Sequence, residues 1–226
     1  MKNFLQSYKT ELTLVGCILF FIALGVASNI RQQIVLDKSK IPNNIESSIG
    51  FQRWITNLKN NDLDISADDF RLLEENEIFN TKWTVVTSIN EEGNRQKFDK
   101  VLRDNLKVKK VVFSPNKQAF IDYKDQTQAK YYGLRDSKIV ESRLIECLSS
   151  VNCYIDRAYF ITDDLMVVSE VSRNIDKKDK TAPVCTLEQL CTYTFKEHVI
   201  NIASNSRSIY QSKPFDAILQ TLAPEL

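Results

Sequence analysis

Glycine and histidine are both scarce in this 226-residue chain. The five glycines, Gly16, Gly25, Gly50, Gly93 and Gly133, are scattered. No G-x-G-x-x-G, P-loop or G-x-S-x-G elbow can be written, which argues against nucleotide-fold and α/β-hydrolase chemistry. His198 is the sole histidine, so a His-rich metal site is excluded. A His-based triad would have to be built on it, with Ser or Cys and a carboxylate brought from elsewhere; a lone strand histidine reads first as structural. Net charge is also missing: it is +1 for the whole chain and zero beyond Ile30, with no Lys/Arg run longer than three. The electrostatic footprint of a nucleic-acid binder is therefore absent. No N-x-S/T glycosylation sequon occurs either.

What is present begins with Leu12 to Ile30, LTLVGCILFFIALGVASNI, a run without charge. Its length approaches the roughly 20 residues a helix needs to cross a bilayer, and its N-terminal position is that of a signal-anchor. A cleavable signal is the rival, since Gly25 and Ala27 place small residues before Ser28. The LVGC at Leu14–Cys17 mimics a lipoprotein box, but ILFF follows where a mature lipoprotein turns polar. Basic residues lie on both sides of the run, so the positive-inside rule leaves orientation open.

Four cysteines lie beyond this run: Cys147 and Cys153 in CLSSVNC, Cys185 and Cys191 in CTLEQLC. Two C-x5-C pairs read as two short-loop disulfides in an oxidising compartment, although four cysteines permit three connectivities. Zinc is the metal alternative, but structural zinc favours C-x2-4-C spacing, and free buried thiols are the third reading.

Residues 31–44, with Pro42 and an Asn pair, look like a connector. After Ser47 and Ser48, either able to cap, Phe51, Trp54, Ile55 and Leu58 recur at i, i+3, i+4 and i+7, the stripe of an amphipathic helix packed on the domain. Lys82 to Ile89 reads as a strand; Phe98, Val101, Leu102 and Leu106 then form a helical stripe before the next strand, giving a β-α-β segment. From Val111 the pattern is nearly all β, separated by SPNK, RDS, TDD and NSR turns. PFDAILQTL closes the chain as an expected helix, with Pro214 in its first turn and Phe215, Ile218, Leu219 and Leu222 on one face.

Two stretches look related: VVFSPNKQAFIDY (Val111–Tyr123) and AYFITDDLMVVSE (Ala158–Glu170), about 47 residues apart, each followed by a more polar strand pair. That period lies in the range of propeller repeats. The first resembles the strand-turn-strand of TolB-like and WD40-type propeller blades, and about two repeats fit within residues 108–211. As a whole the chain resembles uncharacterised single-pass bacterial envelope proteins carrying an anchor, such a β-domain and paired cysteines. Too few residues follow Val111 for the four blades a closed propeller needs.

The weaker candidates are acidic and aromatic. Asp62, Asp64, Ser66 and Asp68 mimic the start of an EF-hand loop, but Ala67 and Leu73 stand where Gly and Glu are required. Asp163/Asp164 and Asp176/Asp179 could in principle serve glycoside hydrolysis, yet both pairs sit in apparent turns. Tyr131, Tyr132, Tyr154, Tyr159 and Tyr193 could line a ligand surface, although strand aromatics are more often core. No catalytic residue, cofactor or metal is assigned.

The expected fold class is an N-terminal transmembrane helix plus a mainly β (α+β) extracytoplasmic domain. That domain is two blade-like antiparallel sheets or a small β-sandwich, with a β-α-β segment and a C-terminal helix. The expected organisation is a cytoplasmic 1–11, a signal-anchor at 12–30, a linker at 31–44 and the β-rich domain at 45–226. The expected function is non-catalytic binding or assembly in the cell envelope, with membrane lipid met through 12–30 and a protein partner. The alternatives are an extracytoplasmic hydrolase using the acidic pairs and a pilin-like or secretion-complex subunit. For the latter, the glycine-preceded processing site of pilins is absent from TELTLVG.

Overall fold

A computed structural model describes residues 18, 20–22, 39–77, 84–88, 99–100, 109–135, 138–147, 153–174 and 185–222. The chain divides into two units, Met1–Ser39 and Lys40–Leu226. In the first, Ile18 and Phe20–Ile22 are helical and exposed.

This corrects the expected fold class. Among the described residues no helix is long and apolar enough to cross a membrane. The rest of the 12–30 run lies outside the described residues.

The second unit is built mainly of strands. Its N-terminal part is helical: α1 (Asn43–Glu46) leads into α2 (Ile49–Asn60). Ser48 caps α2, its Oγ accepting from Phe51 N at 3.2 Å. Such a cap satisfies one of the helix's orphan amide donors. All four residues of the predicted stripe, Phe51, Trp54, Ile55 and Leu58, are buried. Ile41, expected in the connector, is also core.

One antiparallel sheet, sheet A, runs in the order β1 (Arg71–Glu77), β10 (Ser206–Gln211), β9 (Leu190–Asn201), β8 (Leu165–Arg173), β7 (Cys153–Phe160). A short strand, β11 (Phe215–Ile218), also pairs with β9. Sheet B runs β2 (Thr84–Ser88), β6 (Lys138–Glu146), β5 (Gln128–Arg135), β4 (Ala119–Asp122), β3 (Val111–Phe113). The two related stretches therefore sit in different sheets. Each opens a four-stranded meander, β3 to β6 and β7 to β10, and each meander gains one earlier strand beside its last.

Side-chain alternation along β8 and β9 gives sheet A two buried faces. One face, carrying Val167, Val171, Tyr193 and Phe195, packs under Phe51 and Trp54 of α2; Trp54 meets Phe195 edge-on with ring centroids 5.1 Å apart. The other, carrying Met166, Val168 and Ile200, shares a core with Ile121, Ala129 and Tyr131 of sheet B. Phe120 belongs to neither core and clusters with Phe113 and Tyr132 on the remaining face of sheet B.

One further expectation changes. The C-terminal helix shrinks to α3 (Leu219–Leu222), because Phe215–Ile218 pairs antiparallel with Leu190–Tyr193 as β11. Pairing satisfies those backbone groups, and Phe215 stacks on Phe195 with centroids 4.8 Å apart, which outweighs the helical spacing of the apolar residues. Of the helix expected between β2 and β3, Lys100 and Asp99 are helical, and Phe98, Val101, Leu102 and Leu106 lie outside the described residues.

Candidate functional site

The charged residues of β8 and β9 stand out because the strands around them are almost wholly buried. From Met166 to Ser172 every residue of β8 is buried, including Ser169, Glu170 and Ser172. On β9, Thr194, Glu197 and His198 are buried as well. Strand alternation sends these polar groups to opposite faces, making two separate clusters.

On the face toward sheet B, Glu170 is the hub. Its Oε2 lies 2.8 Å from His198 Nε2, and its Oε1 accepts from Lys196 Nζ at 3.1 Å. Ser172 Oγ also bonds Glu170 Oε1, and Lys196 Nζ donates to Ser172 Oγ at 3.0 Å. Burial alone would raise the Glu170 carboxyl. The hydrogen bond and charge of His198, with Lys196 and Ser172, overcome that effect and hold it at about 2. His198 Nδ1 is buried with no hydrogen-bond partner. Ser172 bonds the carboxylate rather than the imidazole, so these residues do not form the hydroxyl–imidazole–carboxylate order that a triad requires.

On the α2 face, Ser169 Oγ donates to Glu197 Oε2 at 2.8 Å, and Glu197 Oε1 has no partner. Nearby on β7, Asp156 Oδ2 accepts from Trp54 Nε1 of α2 at 2.8 Å. Burial raises the Asp156 carboxyl, against the Trp54 bond and the charges of Arg157 and Lys110. The hydroxyls of Tyr154 and Tyr159 are buried there without partners, and burial pushes both well above their ordinary range.

The sequence candidates fall in several places. Cys147 pairs with Cys153 and Cys185 with Cys191, with S–S distances of 1.93 and 1.87 Å. The first bridge joins β6 to β7 and thus links the two sheets; the second closes the turn that leads into β9. Asp163 Oδ1 accepts from Asn116 N at 2.8 Å, so the TDD turn of one meander holds the SPNK turn of the other. The carbonyl of Asp164 accepts from Ile202 N. Asp68 pairs with Lys40 at 2.9 Å, while Asp69 rather than Asp68 accepts from Ser66 in a capping box. Asp176 and Asp179 lie outside the described residues.

The five tyrosines do not form one surface. Tyr131 is in the inter-sheet core, Tyr132 stacks on Phe120, and Tyr154, Tyr159 and Tyr193 belong to the α2-side core.

Sequence reasoning passed over Glu170, Glu197 and Asp156. The available signal was a lone acid inside an apolar strand run, LMVVSEVS, and a charged triplet, KEH, inside TYTFKEHVI.

An exposed apolar group completes the inventory. Leu190 (63% exposed) pairs across from Ile218 (38%), and Leu187 (38%) sits in the Cys185–Cys191 turn, its carbonyl accepting from Gln220 N at 2.9 Å. No protein-family model, no curated protein and no solved structure matches this chain.

Proposed function

We propose that the second unit is an extracytoplasmic, non-catalytic binding or assembly domain of the cell envelope. The charge-free run at 12–30 acts as its export signal. The observation that carries the binding role is the apolar rim of Leu187, Leu190 and Ile218, standing beside a disulfide-closed turn. Exposed apolar groups gathered at one place favour association, and a rigid turn loses little conformational entropy when a partner covers it. The paired cysteines support the compartment, since such bridges persist in oxidising spaces. A hydrolase built on Asp163 and Asp164 finds no support in their roles as turn acceptors.

The test places a photo-crosslinking residue at Leu190 in intact cells, with the same residue at Ile49 (70% exposed) as a control. The proposal expects one discrete heavier product from position 190, absent from position 49 and lost when Ile218→Asp is added. Recovery of the monomer alone, or equal products from both positions, would count against it.

A further inference from the structure

The polar cluster beneath α2 has no part in the binding role, yet it is built at a cost. Glu197 is fully buried, with one carboxylate oxygen bonded to Ser169 and the other unpartnered. A second carboxylate, Asp156, sits on the same face of the sheet and bonds Trp54 of the helix that covers it. Two acids in one enclosed site disfavour joint ionisation, because each resists the other's charge and neither is fully hydrated.

We propose that ionisation of Glu197 releases helix α2 from sheet A, so that this face of the domain opens in response to pH.

The surroundings fit a proton held in the closed form. Burial pushes the Glu197 carboxyl up to about 8; the Ser169 bond and the Arg157 charge oppose the rise and Asp156 adds to it. From β10, Tyr210 is the residue paired with Glu197, and from β7 the Tyr159 ring brings a hydroxyl without a partner. From α2 the facing groups are Trp54 and Phe51, both uncharged; Arg53 and Lys59 are on its exposed face. Lys196 and His198 point to the other side of β9, where Glu170 engages them. No cation on the covering helix thus compensates a charged Glu197.

The weakest boundary around the cluster is α2 itself. Strands β7 to β10 are joined by backbone ladders, whereas α2 meets the sheet through side chains and the Trp54–Asp156 bond. Locally opened states of this kind have their own free energies below that of global unfolding. The sign follows from linkage. A carboxyl raised in the closed form binds its proton more tightly there than in the open form. Closure is therefore favoured at low pH and weakens as pH rises from the ordinary glutamate range toward about 8.

Native-state hydrogen exchange at constant temperature reads this directly. Protection factors for the α2 amides Trp54–Leu58 should fall by up to about tenfold per pH unit between roughly pH 5 and 8, as expected for one coupled proton. Those of β8, Met166–Val171, should stay higher than those of α2 at every pH, since α2 opens without unfolding the sheet. In Glu197→Gln the α2 slope should vanish. A flat α2 profile in the unaltered protein would overturn the proposal without recourse to any variant. So would α2 protection equal to that of β8 at every pH, or an unchanged slope in Glu197→Gln.

Discussion

Replacing Gly50 by alanine tests how closely α2 lies on sheet A. In an exposed helix the change would stabilise by about 1 kcal/mol, because glycine loses more backbone entropy on folding. Here the second residue of α2 faces β7. A Cβ at Gly50 would stand 2.7 Å from Cγ and 3.1 Å from Cβ of Tyr159, with Cδ2 closer still. Those atoms form the root of the ring, so rotating its far end does not clear them. Tyr159 is only 6% exposed and is packed into the α2-side core. Overpacking of this kind costs about 1–3 kcal/mol, which exceeds the propensity gain over most of that range. We expect a net loss of about 1 kcal/mol and a Tm lower by about 2–4 °C for a domain of this size. Urea denaturation followed by tryptophan fluorescence would measure it, with the m-value unchanged. In a Tyr159→Ala background, which removes Cγ and Cδ2, the same substitution should cost much less or become neutral, since the two sites are in direct contact. A Gly50→Ala protein stabilised by the full propensity gain would refute the close packing of α2 on β7.

Two further outcomes follow from the polar hub and the bridges. Glu170 is held at about 2, so its contribution to stability is complete above its ordinary value of 4.5 and is lost as pH falls toward 2. The span corresponds to about 3 kcal/mol, and Glu170→Gln should flatten the acid limb of a stability-against-pH curve while lowering stability at neutral pH; an acid limb unchanged in the variant would contradict the assignment. Each disulfide closes a sequence separation of 6 residues. Loop entropy then gives about 2 kcal/mol per bridge, so Cys185→Ser with Cys191→Ser should lower the urea midpoint, and an unaltered midpoint would show that the bridge contributes nothing.

What could be read from the sequence depended on range. The stripe Phe51, Trp54, Ile55 and Leu58 and its cap Ser48 are local, and periodicity with one hydroxyl determines them. Phe215, Ile218, Leu219 and Leu222 carry the same spacing, yet the first two belong to a strand, because pairing with β9 is a tertiary fact that spacing does not encode. Asp163 was legible as a turn residue; its bond to Asn116, 47 residues away, was not. Glu170 and His198 are 28 residues apart and meet only because β8 and β9 are neighbours in register. Glu197 looks like any strand glutamate until the covering helix is in place. The long apolar run at 12–30 carries the opposite lesson. Composition suggested a span, and among the described residues no helix long enough to make one is present.

Differential alkylation of the protein in intact cells tests the central claim, a domain pinned by two disulfides outside the cytoplasm. Thiols are blocked before lysis, then reduced and labelled a second time, and each cysteine is assigned by mass spectrometry so that Cys17 is counted apart. Cys147, Cys153, Cys185 and Cys191 should take the label only after reduction. Ready labelling of all four before any reductant is added would contradict it.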